Sequence, residues 1–430
     1  MRVLWFTNLL LPEACQALGR PVDGSTGWWM SALLERLKAR RDLKIAVVAS
    51  AGAHDAHFEK DGVEFFVVKT PWRRALWSRL GSYRERLPIR RQLVRYAGMI
   101  EAWKPDVVHV HGTESEFGLI KAWGLSNAPF AISLQGLMTP CARRAYGDLL
   151  PAEIHGFLRG LPGVSTVCHE RWKSFRARAP YEEAMLCAAD TVIGRTEWDR
   201  AWATAYCPDV RYRRVDEILR PQFHGTEPWS AEECRPDQIF TVAGCEPLKG
   251  LHVLVEAAYR LKPLFPGLAV NVAGAGFLPR PANDYARYVL DRIDRCGLES
   301  AFTFLGQLDA AALVRQLRRA HCYALPSFME NSSNALQEAM LVGAPCVAST
   351  AGGTPSILVA ERSGLAFPAG DAALLAGQIG RILRDERLAK RLSREARAAA
   401  AVRNDPARVE AQLLGAYEEL AGGCAKRRHA

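Results

Sequence analysis

The stretch Ala320–Gly353, AHCYALPSFMENSSNALQEAMLVGAPCVASTAGG, constrains the fold more than any other part of the chain. A short apolar run, His321 to Leu325, is closed by Pro326 and reads as a buried strand ending at a turn. From Asn334 the pattern changes to a helical one. Ala335, Leu336, Ala339, Met340 and Val342 share one apolar face, with serine and asparagine just ahead as cap candidates. Gly343 and Pro345 stop this helix, and Cys346 to Ala348 begin another buried strand. A helix joining two buried strands is the crossover that parallel pairing requires, so the segment is one strand-loop-helix-strand unit of a parallel sheet.

Two carboxylates sit inside that unit, Glu330 in the loop and Glu338 one turn into the helix. The amides of Asn334, Ala335 and Leu336 open the helix with partial positive charge, a seat for a phosphate. Glu338 follows about 6 Å further along the axis, at ~1.5 Å per residue, within reach of a ribose diol. Glu330, on the other side of the helix start, is placed to accept from sugar hydroxyls at the far end of a diphosphate. A nucleotide-sugar fits that spacing.

Glu330 and Glu338, seven residues between them, followed by Gly343-Ala344-Pro345 and Gly352-Gly353, resemble the C-terminal half of retaining GT-B glycosyltransferases of the group 1 or family 4 type. The wording ENSSN resembles a bacterial subgroup in which an Asn/Ser-rich loop replaces a Gly-rich one. The resemblance runs over residues 238–385 and is thinner in the first half. It implies an α/β fold of two doubly wound Rossmann-like domains facing an interdomain cleft: 1–220 on the acceptor side, 221–400 for the nucleotide-sugar, and 401–430 as a helix crossing back to the first domain. The implied activity is transfer of a hexosyl unit, with retention, from a nucleoside diphosphate to a hydroxyl of a glycan or lipid-linked saccharide, as in polysaccharide biosynthesis. UDP is expected ahead of GDP, with no other cofactor. In this reading Glu330 orients the sugar and Lys249 stabilises the departing diphosphate, while Glu338 with the Asn334–Leu336 amides holds the nucleotide. A GT-B nucleotide-sugar epimerase and a catalytically silent nucleotide-sugar-binding protein share the same cradle and stay open as alternatives.

The first 210 residues alternate strands and helices, with apolar runs at Val3–Phe6, Leu43–Val48, Val63–Val68, 105–112, Phe130–Leu134 and Thr191–Ile193. Gly24-Ser25-Thr26-Gly27 precedes an amphipathic helix, and glycine at such a turn lets backbone approach a ligand closely; the resemblance makes Gly27 a donor-binding candidate. His111 ends the strand at 105–112, at the carboxyl edge where open α/β sheets bind ligands. It is an acceptor-side candidate, as base or hydrogen-bond donor, beside the plain alternative of a structural histidine. Gln135-Gly136 stands where many relatives carry His-Gly. An amide takes up no proton, and the front-face mechanism ascribed to the family, in which the leaving phosphate accepts the acceptor's proton, tolerates that. Thr196 is read as a helix cap.

A hinge is placed in the unpatterned stretch between Arg220 and Pro236. The second domain opens with a strand at Ile239–Ala243, then Gly244-Cys245-Glu246-Pro247-Leu248-Lys249-Gly250 and a helix through Leu261. The family's Lys-Gly is present as Lys249-Gly250, but Cys245 stands where arginine is usual, so one phosphate cation is missing. Gly306, after the strand Phe302–Leu305, falls at the family's nucleobase-facing edge, and Gly364–Pro368 reads as hairpin-like. Gly274-Ala275-Gly276 lacks the third glycine of a dinucleotide fingerprint.

Composition excludes other classes. No apolar run reaches the ~18 residues a spanning helix needs, and the N-terminus MRVLWFTNLL lacks a signal peptide's long apolar core. The 11 cysteines are scattered without a C-x-x-C pair, as expected of reduced cytoplasmic thiols. No D-x-D triplet occurs and His54/His57 lack companions, so no metal is expected. The net charge is +10, and Pro71–Lys104 concentrates nine Lys/Arg against Glu85 and Glu101, interleaved with Trp72, Trp77, Leu80 and Leu87. Basic amphipathic segments with tryptophan suit an anionic leaflet. A peripheral position on the inner face of the cell membrane is therefore expected, and no nucleic-acid partner.

Overall fold

The computed structural model describes residues 1–22, 27–52, 54–69, 86–155 and 167–428. They form two compact units. Unit 1 comprises Met1–Thr139, Lys173–Ile218 and Asn404–Ala430, and unit 2 Pro140–Trp172 and Leu219–Arg403. The strands in chain order are β1 (Arg2–Thr7), β2 (Lys44–Gly52), β3 (Ala56–Lys60), β4 (Val63–Lys69), β5 (Val107–His111), β6 (Phe130–Ser133), β7 (Thr191–Gly194) and β8 (Tyr212–Arg214), then β9 (Gln238–Val242), β10 (Ala269–Ala273), β11 (Phe302–Gly306), β12 (Cys322–Leu325), β13 (Cys346–Ser349) and β14 (Leu365–Phe367).

In unit 1 the order is β3-β4-β2-β1-β5-β6-β7-β8, parallel except for β3, which pairs antiparallel with β4. Central strands such as β1, with Val3–Phe6, are continuous apolar runs because both faces are covered. Val3, Trp5, Ile45 and Val107 point into one layer and Leu4, Phe6, Val108 and Val110 into the other. The closing helix Pro406–Arg428 contributes Val409, Leu413, Tyr417 and Leu420 to the first of these layers.

Unit 2 has six parallel strands in the order β11-β10-β9-β12-β13-β14. Counted from β9 this is 3-2-1-4-5-6, the doubly wound arrangement whose ligand crevice opens at the carboxyl ends between the first and fourth strands, here β9 and β12.

The structure departs from the sequence expectations at several places. A continuous first domain is not found, because Pro140–Trp172 packs into unit 2. Ile154 and Cys168 are buried in that unit's core, Cys168 Sγ lies 3.6 Å from Asp284 Oδ1, and Arg171 pairs with Glu246 at 2.5 Å. Leu365–Phe367 is no hairpin arm but a parallel edge strand registered on β13. The edge strands β3 (AHFEK) and β8 (YRR) lack the apolar run of a central strand: β3 alternates exposed with partly buried residues, and β8 is one tyrosine and two arginines. Among the described residues no helix is long and apolar enough to cross a membrane.

Candidate functional site

In unit 2 the chain after β9 makes a tight turn, Pro247–Lys249, and enters the helix Leu251–Leu261 through Gly250, whose φ is +66°. Gly250 is required twice over: the left-handed conformation favours glycine, and a Cβ there would lie 1.9 Å from the Pro326 carbonyl oxygen. The Phe328 amide donates to the Leu248 carbonyl at 2.8 Å. The loops after β9 and β12 are thus stitched together at the sheet's carboxyl edge, and the two sequence-predicted catalytic residues meet there. Lys249 Nζ donates to Glu330 Oε1 at 2.7 Å, and Ser327 Oγ donates to the same oxygen at 2.7 Å. Burial alone would lower the lysine's pKa, but the Glu330 carboxylate outweighs it and holds the ammonium above its ordinary range.

The loop after β13 closes on the same place. Gly353 N–H donates to the Glu330 carbonyl at 2.9 Å, and a Cβ on Gly352 (φ +55°) would lie 2.0 Å from that carbonyl oxygen. Ser349 Oγ donates to the Ser327 carbonyl at 2.5 Å. The helix Asn334–Val342 starts just beyond, capped by Ser333, whose Oγ accepts from Leu336 N at 3.4 Å. The Leu336 amide is therefore partly engaged by its own cap, and those of Asn334 and Ala335 open the helix. Glu338, one turn in, is 4% exposed and receives a two-pronged contact from Arg220, Nε to Oε1 and Nη2 to Oε2, each 2.7 Å. Gly244 begins the loop that carries Lys249. In that loop Cys245 accepts from Asn283 Nδ2, at 2.8 Å on its carbonyl and 3.1 Å on sulfur; the cation beside it is Arg171, on Glu246. Gly306 ends the edge strand β11, two places from β9.

In unit 1, His111 and Gln135 end β5 and leave β6, and both line a recess shared with Trp29, Leu33, Arg195 and Glu217. Gly27, at φ +72°, opens the helix Trp28–Lys38 that supplies Trp29 and Leu33; Gly24–Thr26 lie outside the described residues. His111 is 6% exposed, wedged between Trp5 and His109 with ring centroids 4.5 and 4.0 Å away, and its Nε2 meets no hydrogen-bond partner among the described residues. Burial, with His109 and Arg195 adding repulsion, holds its pKa well below the usual histidine range. It is a neutral imidazole, suited to hydrogen bonding and poor at taking up a proton. His109 is tied on both sides, to Tyr417 Oη and Ser133 Oγ at 2.6 Å each.

Three residues here escaped the motif reading. Arg220 lies in a loop with no periodic signal. Ser327 is a lone serine in sequence. Glu182, on the helix Val167–Ala188, accepts from Thr113 Oγ1 at 2.7 Å and from the Met138 amide at 2.9 and 3.0 Å, clamping the loops after β5 and β6. Among the described residues no cluster of three or more His, Cys, Asp or Glu is arranged to hold a metal ion.

Residues 230–399 match the family of glycosyl transferases group 1, and residues 26–216 match the glycosyl transferase 4-like domain. A glycogen synthase of Mycobacterium tuberculosis is 30% identical over 300 residues, 70% of this chain; the chain spans 65% of that relative's length. Among solved structures, the sucrose-phosphate synthase of Thermosynechococcus elongatus superposes with a TM-score of 0.72 at 17% identity, covering 98% of this chain and 99% of that one. HepE of Anabaena in complex with UDP-glucose gives 0.65 at 16%, covering 97% and 100%. With a group 1 domain on the six-stranded parallel sheet, a 4-like domain on the other and GT-B structures as neighbours, the chain belongs to the GT-B glycosyltransferases of the group 1 type.

Proposed function

We propose that the chain transfers a hexosyl unit from a nucleoside diphosphate to a hydroxyl acceptor with retained configuration. The observation that carries this is the contact of Lys249 with Glu330 at the carboxyl edge of β9 and β12, beside the start of the Asn334 helix. A cation and a helix N-terminus at one point suit a diphosphate, and the carboxylate that the cation orients suits sugar hydroxyls. In the reaction the acceptor oxygen bonds to the anomeric carbon as the bond from that carbon to the diphosphate oxygen breaks. The acceptor's proton passes to the leaving phosphate, so no protein base is needed; a weakly basic His111 and an amide at Gln135 are compatible with that. Lys249 and the helix amides stabilise the charge growing on the diphosphate, the kind of fixed electrostatic contribution that dominates many active sites. Glu330 orients the sugar, Glu338 takes the ribose, and no metal takes part.

UDP is the proposed nucleotide, supported by the UDP-glucose bound to the HepE neighbour. The acceptor is a glycan or lipid-linked saccharide, met in the cytoplasm at the inner face of the membrane. The test is incubation of the purified chain with UDP- and GDP-sugars, with and without saccharide acceptors, and NMR of the anomeric centre formed. Acceptor-dependent release of nucleoside diphosphate with retained configuration is expected. Sugar conversion without acceptor would make it an epimerase, and binding without turnover a silent binding protein.

A further inference from the structure

Arg220-Pro221 fixes a local shape before any tertiary contact forms. Proline keeps the residue ahead of it out of the helical region and is favoured at a helix's first position. Arg220 is accordingly extended (φ −58°, ψ 138°), and Pro221 opens the short helix Pro221–His224. Phe223 is fully buried, its amide donates to the Arg220 carbonyl at 3.0 Å, and the guanidinium lies over its ring, 4.9 Å from the centroid. The arginine is therefore held on one face by an aromatic ring, with its fork on both oxygens of Glu338. The two side chains are 12% and 6% exposed. A carboxylate withdrawn from water this far needs a paired charge to stay ionised. Only a guanidinium supplies two parallel donors that also fix the carboxylate plane; a lysine supplies a point charge.

We propose that Arg220 is a positioning residue of the nucleotide site: by holding the Glu338 carboxylate ionised and in one orientation, it sets the preference for ribonucleotides over 2′-deoxyribonucleotides. This rests on the reading of Glu338 as the ribose-binding carboxylate. Preorganisation of this kind raises affinity by removing side-chain freedom before the ligand arrives, so the arginine acts on the nucleotide only through the glutamate.

The experiment is calorimetric titration of the full chain with UDP and GDP and their 2′-deoxy counterparts. The proteins are wild type, Arg220→Lys, Glu338→Gln and the double variant Arg220→Gln/Glu338→Gln, which leaves no buried charge unpaired; circular dichroism checks folding. Wild type should prefer the ribonucleotide about tenfold, the equivalent of one hydrogen bond to a charged group. Glu338→Gln should bring the ratio close to one, Arg220→Lys should lower it at least threefold, and the double variant should bind as Glu338→Gln does. A wild type that binds none of the four, or binds ribo and deoxy forms alike, overturns the ribose reading and the proposal with it. A full wild-type ratio in Arg220→Lys, with the ratio lost in Glu338→Gln, overturns the role of Arg220 and leaves the ribose reading standing. Should Arg220→Lys fail to fold, the double variant decides: binding weaker than in Glu338→Gln would mean that Arg220 meets the nucleotide itself, against the proposal.

Discussion

Lys249 is costly to desolvate, and Glu330 offsets that cost at 2.7 Å, so the cation is already in place when the site is empty. A charge-assisted contact is worth ~1.5–3 kcal/mol net, so Lys249→Ala should lower kcat about ten- to hundredfold. Glu330→Gln should also act mainly on turnover, whereas Glu338→Ala should act mainly on nucleotide binding. Steady-state kinetics on a nucleotide-sugar with calorimetry on UDP separates these; wild-type rates in Lys249→Ala would remove it from the site. Glu182 carries a different prediction. It is fully buried, and burial pushes its carboxyl from the ordinary 4.5 up to about 7, Glu114 adding repulsion against the opposing hydrogen bonds from Met138 and Thr113. Such an acid binds more protons folded than unfolded between those two values. Its contribution to stability is therefore full below about pH 4.5 and is lost as pH rises through about 7, by on the order of 3 kcal/mol. Glu182→Gln keeps the neutral shape, so its melting temperature relative to wild type should climb by several degrees from pH 5 to pH 8. A constant difference across that range would show that the carboxyl does not titrate there.

At the scale of elements, the site depends on how closely three loops approach one another at the carboxyl edge of the unit 2 sheet. Gly250 and Gly352 allow it, and each would place a Cβ against backbone carbonyl oxygen. Left-handed strain alone costs an ordinary residue ~1–2 kcal/mol, and here the backbone must also move. Gly250→Ala and Gly352→Ala should each destabilise unit 2 and abolish UDP binding, while Gly62→Ala, left-handed too but with nothing near its Cβ, should cost only the strain and leave binding intact. Thermal melts and titration of the three variants check this; binding retained in Gly250→Ala would mean that the loops do not need this approach. The buried strands and the helix that carry these loops were legible in sequence because fully covered parallel strands are unbroken or nearly unbroken apolar runs, as in CYAL. The short edge strands β3 and β8 were not, since an edge needs no apolar signature. The union of Glu330 with Lys249 was foreseen only as a shared ligand, and their direct contact is a product of strand order. Arg220 was invisible for a related reason: its partner lies 118 residues on, and nothing local in an arginine announces a carboxylate across the fold.

For the molecule as a whole, the excess of positive charge has one place where sequence and structure can be compared. The helix Arg86–Trp103 buries Leu93, Tyr96, Ile100 and Trp103 in the unit 1 core and turns Arg90, Arg91 and Val94 outward, with Arg95 on Asp55 at 3.0 Å. Its apolar stripe is used for packing, so a membrane contact of this helix would rest on its basic face. Trp72, Trp77, Leu80, Arg73 and Arg74 lie in the stretch ahead of it, outside the described residues. Cations near an anionic leaflet contribute ~1 kcal/mol each, an attraction confined to the Debye length of about 10 Å at 0.1 M salt. The chain should therefore pellet with phosphatidylglycerol-rich vesicles at low salt and not with neutral ones. Changing Arg73, Arg74, Arg90 and Arg91 together to glutamine removes up to about 4 kcal/mol by that measure, so vesicle affinity should fall at least tenfold, and 0.5 M salt should have a similar effect on the wild type. None of these arginines is among the residues assigned to the nucleotide, so UDP binding in solution should be unchanged in the variant. Equal and negligible pelleting of both proteins with anionic vesicles at low salt would exclude the leaflet as a partner of this face and leave the basic helix as a solvated surface.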